Sequence, residues 1–235
     1  MNPLRPVPLP HDAPSDIGLW RVDVDFGVSL DAVSFHSISD DERSRARRFR
    51  RPEDALRFAT VRAALRETLA AHLNVTAAGI RFALDSNRRP HLAGPARVDF
   101  NVSHAGTHGL IAISAARRVG VDIEQCREPF DWRSIAALTL DPDEASCIGR
   151  LDPTRRVAAF YDAWVAKEAL VKTTGVGIPR GLHHLTVLPR ESESVTLRKH
   201  VPDDMRDVAA QWIMAPAGYA ACVAWSTEAF ERDPH

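Results

Sequence analysis

The sequence predicts an α+β protein, a pseudo-dimer of two similar halves placed one after the other. Three observations carry this. Short apolar/polar alternations typical of strands are interspersed with two long segments of helical period. An acidic helix opening, Asp40-Asp41-Glu42, returns as Asp141-Pro142-Asp143-Glu144. Landmarks of the second half follow those of the first at offsets of about 100 to 110 residues.

The elements follow in order. Five prolines in the first 14 residues and no apolar core of a signal peptide predict an extended arm over residues 1–16. The first half, 17–115, opens with the alternating strand GLWRVDVDF (18–26). After Asp40-Asp41-Glu42 come six arginines between Arg43 and Arg51. Pro52 suits the first position of a helix, Glu53 and Asp54 complement its N-terminal dipole, and Phe58, Val61, Leu65 and Leu69 carry its apolar stripe to about Leu73. Strands are expected at 80–84, 97–102, 109–114 and 119–125. The second half, 116–235, then offers a long helix over 155–174 and strands at 185–188, 208–214 and 219–225. The halves join near 115–118. Each unit is too small to be very stable alone, so the largest cleft is expected between them.

Composition bounds the function. The 235 residues carry 30 Lys and Arg against 31 Asp and Glu, a net charge of −1 that argues against a dedicated nucleic-acid binder. Three dispersed cysteines without a Cys-x-x-Cys pair speak against a disulfide framework or structural zinc site. No apolar run approaches a membrane span, and a cytoplasmic protein is expected.

Four groups of residues carry candidate chemistry. In Val119-Gly-Val-Asp-Ile-Glu124, strand geometry points Asp122 and Glu124 to one face and Val121 and Ile123 to the other. Two neighbouring carboxylates repel unless a cation or proton lies between them, and oxygen-only ligands suit Mg²⁺; an acidic outer strand face is the plainer alternative. On the long helix, Trp164, Glu168 and Lys172 follow one another by four, along the stripe of Val157, Phe160 and Tyr161 that should be packed. Charges there need a metal, phosphate or partner. In Asn101-Val-Ser103-His104-Ala-Gly106, a strand enters a small-residue turn whose N–H groups, hydroxyl and imidazole could hold a phosphate. Arg57 and Arg89 belong to a clustered basic set, and guanidinium suits phosphate geometry. There is no Gly-x-Ser-x-Gly, no phosphate-cradling Gly-rich loop and no Gly-x-Gly-x-x-Gly after a strand. Together these residues point to a pyrophosphate-containing ligand.

FNVSHAG (100–106), VGVDIE (119–124) and WVAKEALVKTTGVGI (164–178), in that order and spacing, resemble the three motifs of the 4′-phosphopantetheinyl transferases, most closely the two-halved surfactin-synthetase-activating (Sfp-type) branch. The likeness extends upstream through RRFRRPEDALR (47–57) to the basic turn before Pro90. It implies that fold, with the active site in the cleft between the halves, and transfer of the phosphopantetheine arm of coenzyme A to a serine of an acyl or peptidyl carrier protein, releasing 3′,5′-ADP. It implies Mg²⁺, with Mn²⁺ as a possible substitute, held by Asp122, Glu124 and Glu168. Lys172 is expected on the pyrophosphate. Ser103, His104, Arg57 and Arg89 are expected at the 3′-phosphate or nearby nucleotide groups, with Lys167 adjoining the metal site. Glu168 is the candidate base, directly or through metal-bound water. Two departures stand out: Arg88-Arg89 where the family often has Gly-Lys, and Ala105 where it often has Ser. The alternatives are a Mg²⁺-dependent CoA pyrophosphohydrolase and a non-catalytic CoA- or carrier-binding module. A monomer is expected, with carrier docking at Arg43–Arg51, at Val176–Ile178 or over Trp132–Ile148.

Overall fold

A computed structural model of the chain describes residues 3–9, 11–32, 35–94, 97–175, 182–198 and 203–230. The first half begins with strands β1 (Leu4–Pro6) and β2 (Ile17–Asp23), then helices α1 (Asp40–Ala46) and α2 (Pro52–Leu73). The hairpin β3 (Phe82–Leu84) and β4 (Pro90–Leu92) follows, then β5 (Asp99–Ala105) and β6 (His108–Ser114). The second half runs β7 (Val119–Gln125), α3 (Arg133–Thr139), α4 (Pro142–Arg150), α5 (Pro153–Thr174), β8 (Val208–Trp212) and β9 (Tyr219–Ser226).

The two halves share a plan. In one sheet β2 pairs with β6 and β6 with β5; in the other β7 pairs with β9 and β9 with β8, all antiparallel. Strands β2 and β7 thus each lie beside the second arm of the last hairpin of their half. Each also has one 22-residue helix opened by proline, Pro52 or Pro153. Proline costs nothing there, since the first helical N–H has no partner within the helix.

The layers follow from which face of each strand is apolar. Val22, Phe100, Ile111 and Ile113 pack the first sheet onto Val61, Leu65 and Leu69 of α2. Ala210, Trp212, Cys222 and Ala224 pack the second onto Phe160, Ala163 and Leu170 of α5. The faces turned away from the helices meet each other: Ile17, Leu19, Leu110 and Ala112 lie against Val121, Ile123, Val223 and Trp225. The order is helix, sheet, sheet, helix, with the third cluster joining the halves.

One expected element is absent and two expected features take definite form. The extended N-terminal arm is tied down: β1 pairs with Trp20–Val22 as an edge strand, and Val7 N–H donates to Leu19 at 2.9 Å. An edge tolerates prolines because one side of the strand needs no ladder bonds. Residues 185–188 form no regular strand, only an isolated bridge from Thr186 to Arg198. The N–H groups of Val187 and Leu188 are taken by the Glu144 carboxylate at 2.7 and 3.2 Å instead. The arginines of 43–51 do not make one basic face. Helix α1, capped by a Ser39/Glu42 box, ends at Ala46. Arg43 then turns inward to the carbonyls of Leu30 and Phe35, Arg47 pairs with Asp31, and Arg51 reaches the cleft.

Candidate active site

The site begins where β7 crosses α5. A Cβ at Gly120 would lie 2.2 Å from the Ala169 carbonyl and 2.7 Å from Thr173 N. Only glycine lets the strand backbone lie directly on the helix, and this approach brings the strand's even-numbered face onto the charged side of α5. Two residues on, Asp122 is 2% exposed and its Oδ1 accepts from Lys172 Nζ at 2.6 Å. Val121 and Ile123 face the opposite way, fully buried between the sheets.

A second alignment holds β5 beside β7. Asp99 Oδ2, Asn101 Oδ1 and Ser103 Oγ accept from the N–H groups of Val119, Val121 and Ile123 at 2.8, 3.0 and 3.4 Å. Alternate side chains of one strand thus satisfy alternate amides of the other, where a backbone ladder would ordinarily do so. The Asp-x-Asn-x-Ser pattern is a seam between the halves. Sequence reasoning missed it, although polar residues at 99, 101 and 103 alternating with Phe100 and Val102 were the signal. Ser103 also donates to Asp122 Oδ1 at 2.7 Å, so its proton orients a carboxylate. The sequence expectation placed this hydroxyl at the 3′-phosphate or a nearby nucleotide group.

The carboxylates are electrostatically unsettled. Burial raises Glu124 to about 7, and Asp122 and Glu168 add to the effect while Lys172 opposes it. Burial also raises Glu168, with Lys172 opposing and Asp122 reinforcing. Asp122 Oδ2 is buried and has no hydrogen-bond partner. Among the described residues no three acidic, imidazole or thiol groups stand close enough, as placed, to hold an ion. The three carboxylates are in electrostatic reach of one another without forming a finished cage. An orphaned buried oxygen beside two carboxyls raised chiefly by burial, and further by the Asp122 charge, is nevertheless the donor chemistry that a hard divalent cation satisfies.

Below Asp122 the halves part into a cleft of about 710 Å³. Arg57, His104 and Arg51 line it from the first half and Glu124, Arg127, Tyr161 and Trp164 from the second. Arg57 donates to the Gly106 carbonyl at 2.7 Å and to Asp54 at 2.8 Å, which fixes its guanidinium at the mouth. His104 keeps one face open to the cleft. Its imidazolium is disfavoured by burial of the rest, and the Arg57 and Lys172 cations lower it further. The turn after His104 is clamped across the cleft: Gly106 takes φ 51°, and Thr107 N–H donates to Tyr219 Oη at 3.0 Å. Tyr219 and Arg127 were not singled out from sequence, because nothing local distinguishes them from ordinary strand and loop residues; Phe160, Tyr161 and Trp164, expected as a packed stripe, also line the cleft.

Two expected site residues have their donors committed within the fold. Lys167 is fully buried, donates to the Thr139 carbonyl at 2.8 Å, and pairs with the equally buried Glu144. It points away from Glu168, its neighbour on the helix, and braces α5 against α4. Arg89 is only 9% exposed and is committed to Asp99 at 2.6 Å and to the carbonyls of Val119, Thr173 and Lys172. Val176–Ile178, one of the expected docking surfaces, lies outside the described residues.

Comparison with known proteins agrees with this arrangement. Residues 118–224 match the model of the 4′-phosphopantetheinyl transferase superfamily, and residues 30–116 match that of the 4′-phosphopantetheinyl transferase N-terminal region. The slr0495 protein of Synechocystis sp., which bears a 4′-phosphopantetheinyl transferase name, is 32% identical over 200 residues, 81% of this chain and 80% of its own. The 4′-phosphopantetheinyl transferase HetI of Nostoc sp. is 30% identical over 80% of this chain and 84% of its own. Sfp of Bacillus subtilis, of the same name, is 25% identical over 83% and 85%. With both halves matched and relatives of up to 32% identity covering about 80% of it, the chain belongs to the 4′-phosphopantetheinyl transferase superfamily and is an enzyme of that type.

Proposed function

We propose that this transferase moves the 4′-phosphopantetheine moiety of coenzyme A onto a serine hydroxyl of an apo acyl or peptidyl carrier protein, with Mg²⁺ as cofactor. The serine oxygen forms a bond to the pantetheine-side phosphorus, the bond from that phosphorus to the bridging oxygen breaks, and 3′,5′-ADP departs. The single observation that carries this reading is the buried Asp122 with one unpartnered oxygen, beside Glu124, Glu168 and Lys172.

Asp122, Glu124 and Glu168 would hold the metal. When bound, Mg²⁺ supplies charge neutralisation for the diphosphate oxygens. Ser103 keeps Asp122 oriented through its hydroxyl proton. Lys172 meets the charge that develops on the bridging oxygen and the departing 5′-phosphate of 3′,5′-ADP; its ammonium already stands at the edge of the carboxylate group. Glu168 accepts the serine proton, and burial makes it a stronger base than an exposed glutamate. His104 and Arg57 face the nucleotide's phosphates from the first half. Arg57, fixed by Asp54 and Gly106, needs little reordering to do so.

The test is mass spectrometry of several apo-carrier proteins after incubation with CoA, with Mg²⁺ and with chelator. Gain of one phosphopantetheine arm, dependent on the metal, is the expected result. Release of 3′,5′-ADP at the same rate without any carrier would assign a hydrolase instead.

A further inference from the structure

Arg89, which the resemblance places near a phosphate, occupies an informative position. The turn between β3 and β4 is shaped by Asp85, whose Oδ1 accepts from the N–H groups of Asn87 and Arg89 at 2.8 and 2.9 Å. Arg88 takes φ 63° to close it, the left-handed conformation that glycine adopts more readily. The closed turn projects two side chains out of the first half onto the C-terminus of α5. Asn87 Nδ2 donates to the Gly175 carbonyl at 2.8 Å, and Arg89 Nη1 donates to the carbonyls of Lys172 and Thr173.

The last carbonyls of a helix have no partner within it, and that end carries the negative pole of its dipole. A guanidinium there supplies donors and opposite charge together. Arg89 Nη2 meanwhile reaches Asp99, which accepts from Val119 N–H at the start of β7. One side chain therefore ties the end of α5 to the strand that bears Asp122, and holds the backbone of Lys172 itself.

We propose that the β3–β4 turn is a latch between the halves, and that Arg89 is a positioning residue that sets Lys172 against Asp122. The catalytic part of this inference rests on the transferase reading above; the structural part does not. Loss of the latch leaves the final turn of α5 free to fray, and Lys172 then samples positions away from the diphosphate.

The test combines two readouts on Arg89→Met and on the milder Asn87→Ala, whose exposed side chain is no threat to folding. In amide hydrogen exchange, Thr173–Gly175 should exchange about tenfold faster in Arg89→Met, and to a lesser degree in Asn87→Ala, with the middle of α5 unchanged. In steady-state transfer to an apo-carrier, kcat should fall about tenfold in Arg89→Met with KM for CoA nearly constant. In a Lys172→Ala background the same change should cost less than about twofold, because both act through one group. Unchanged exchange at 173–175 overturns the latch. Effects that multiply in the double variant, or a rise in KM for CoA with kcat intact, overturn the positioning role and return Arg89 to ligand binding. Faster exchange in the two variants, combined with a parent protein that modifies no carrier, would leave the latch standing and remove the transferase reading alone.

Discussion

Lys172 Nζ stands 2.6 Å from Asp122 Oδ1, which joins the last turn of α5 to the middle of β7. The contact exists because Gly120 lets the strand lie on the helix, and because Ser103 holds the same carboxylate oxygen from the neighbouring half at 2.7 Å. The other oxygen, Asp122 Oδ2, is left buried and unpaired. A structural ion pair would ordinarily satisfy both oxygens, since an orphaned buried acceptor costs about 1–3 kcal/mol. That unpaired oxygen is the observation on which the proposed metal role of Asp122 rests.

Removing the charge at Asp122 should therefore disable turnover. Asp122→Asn keeps the shape and is expected to lower carrier modification at least ~10²-fold, the scale of losing a preorganised electrostatic contact. Mass spectrometry of the carrier over time provides the measurement. Rates within twofold of the parent would leave the metal reading without its central ligand.

Glu124, raised to about 7 chiefly by burial and then by Asp122 and Glu168, gives a pH dependence with a definite sign. Its ordinary value is 4.5, so between there and about 7 the folded chain retains a proton that the unfolded chain has released. This contribution makes the metal-free protein less stable as pH rises through that window. Mg²⁺ needs the deprotonated carboxylate, so its stabilisation should be larger at pH 8 than at pH 5. Thermal melts at both pH values, with and without Mg²⁺, check this; an equal gain at both would count against Glu124 as a ligand.

Lys167 and Glu144 form a buried pair with neither side chain exposed. Burial lowers the Lys167 ammonium from its usual range and Glu144 holds it up. Lys167→Met leaves the Glu144 carboxylate without its counter-charge, at a cost of about 3–5 kcal/mol. Calorimetry should find a melting temperature lower by on the order of 10 °C. The variant that remains folded at low temperature should bind CoA as the parent does. Weakened CoA binding with an unchanged melt would return Lys167 to the place beside the ligand site that the resemblance implies.

Gly120→Ala tests the crossing of strand and helix. Its Cβ would meet backbone atoms of Ala169 and Thr173 inside 3 Å, which neither element can relieve by a rotamer change. Overpacking of this kind costs about 1–3 kcal/mol, and separation of β7 from α5 would also move Asp122 off Lys172. Both a lower denaturant midpoint and a lower kcat are expected. A variant with parental stability would show that the approach is looser than described.

Legibility from the sequence divided along a physical line. Strand β7 and helix α2 end at the residues that period and capping chemistry predict, Val119–Gln125 and Pro52–Leu73, because those signals act between near neighbours in the chain. The repeated order of elements was visible for the same reason. The inward Glu168 and Lys172 stood out because spacing by four placed charge on an apolar stripe. Residues whose chemistry suits phosphate were harder to sort. Lys167 differs from Glu168 by one position, and that 100° turn of the helix sends it into the core.

The amino-acid order alone was enough to establish two α+β halves, the acidic strand, the charged helix face and the family resemblance. It could not say that Asp99, Asn101 and Ser103 would serve as amide acceptors for β7, or that Arg89 would spend its donors on α5 and Asp99. Those partnerships arise only when the two sheets pack face to face through Ile17, Leu19, Val121 and Ile123. A side chain's type limits which bonds it can form; which of them it does form depends on the backbone groups that packing leaves unsatisfied beside it.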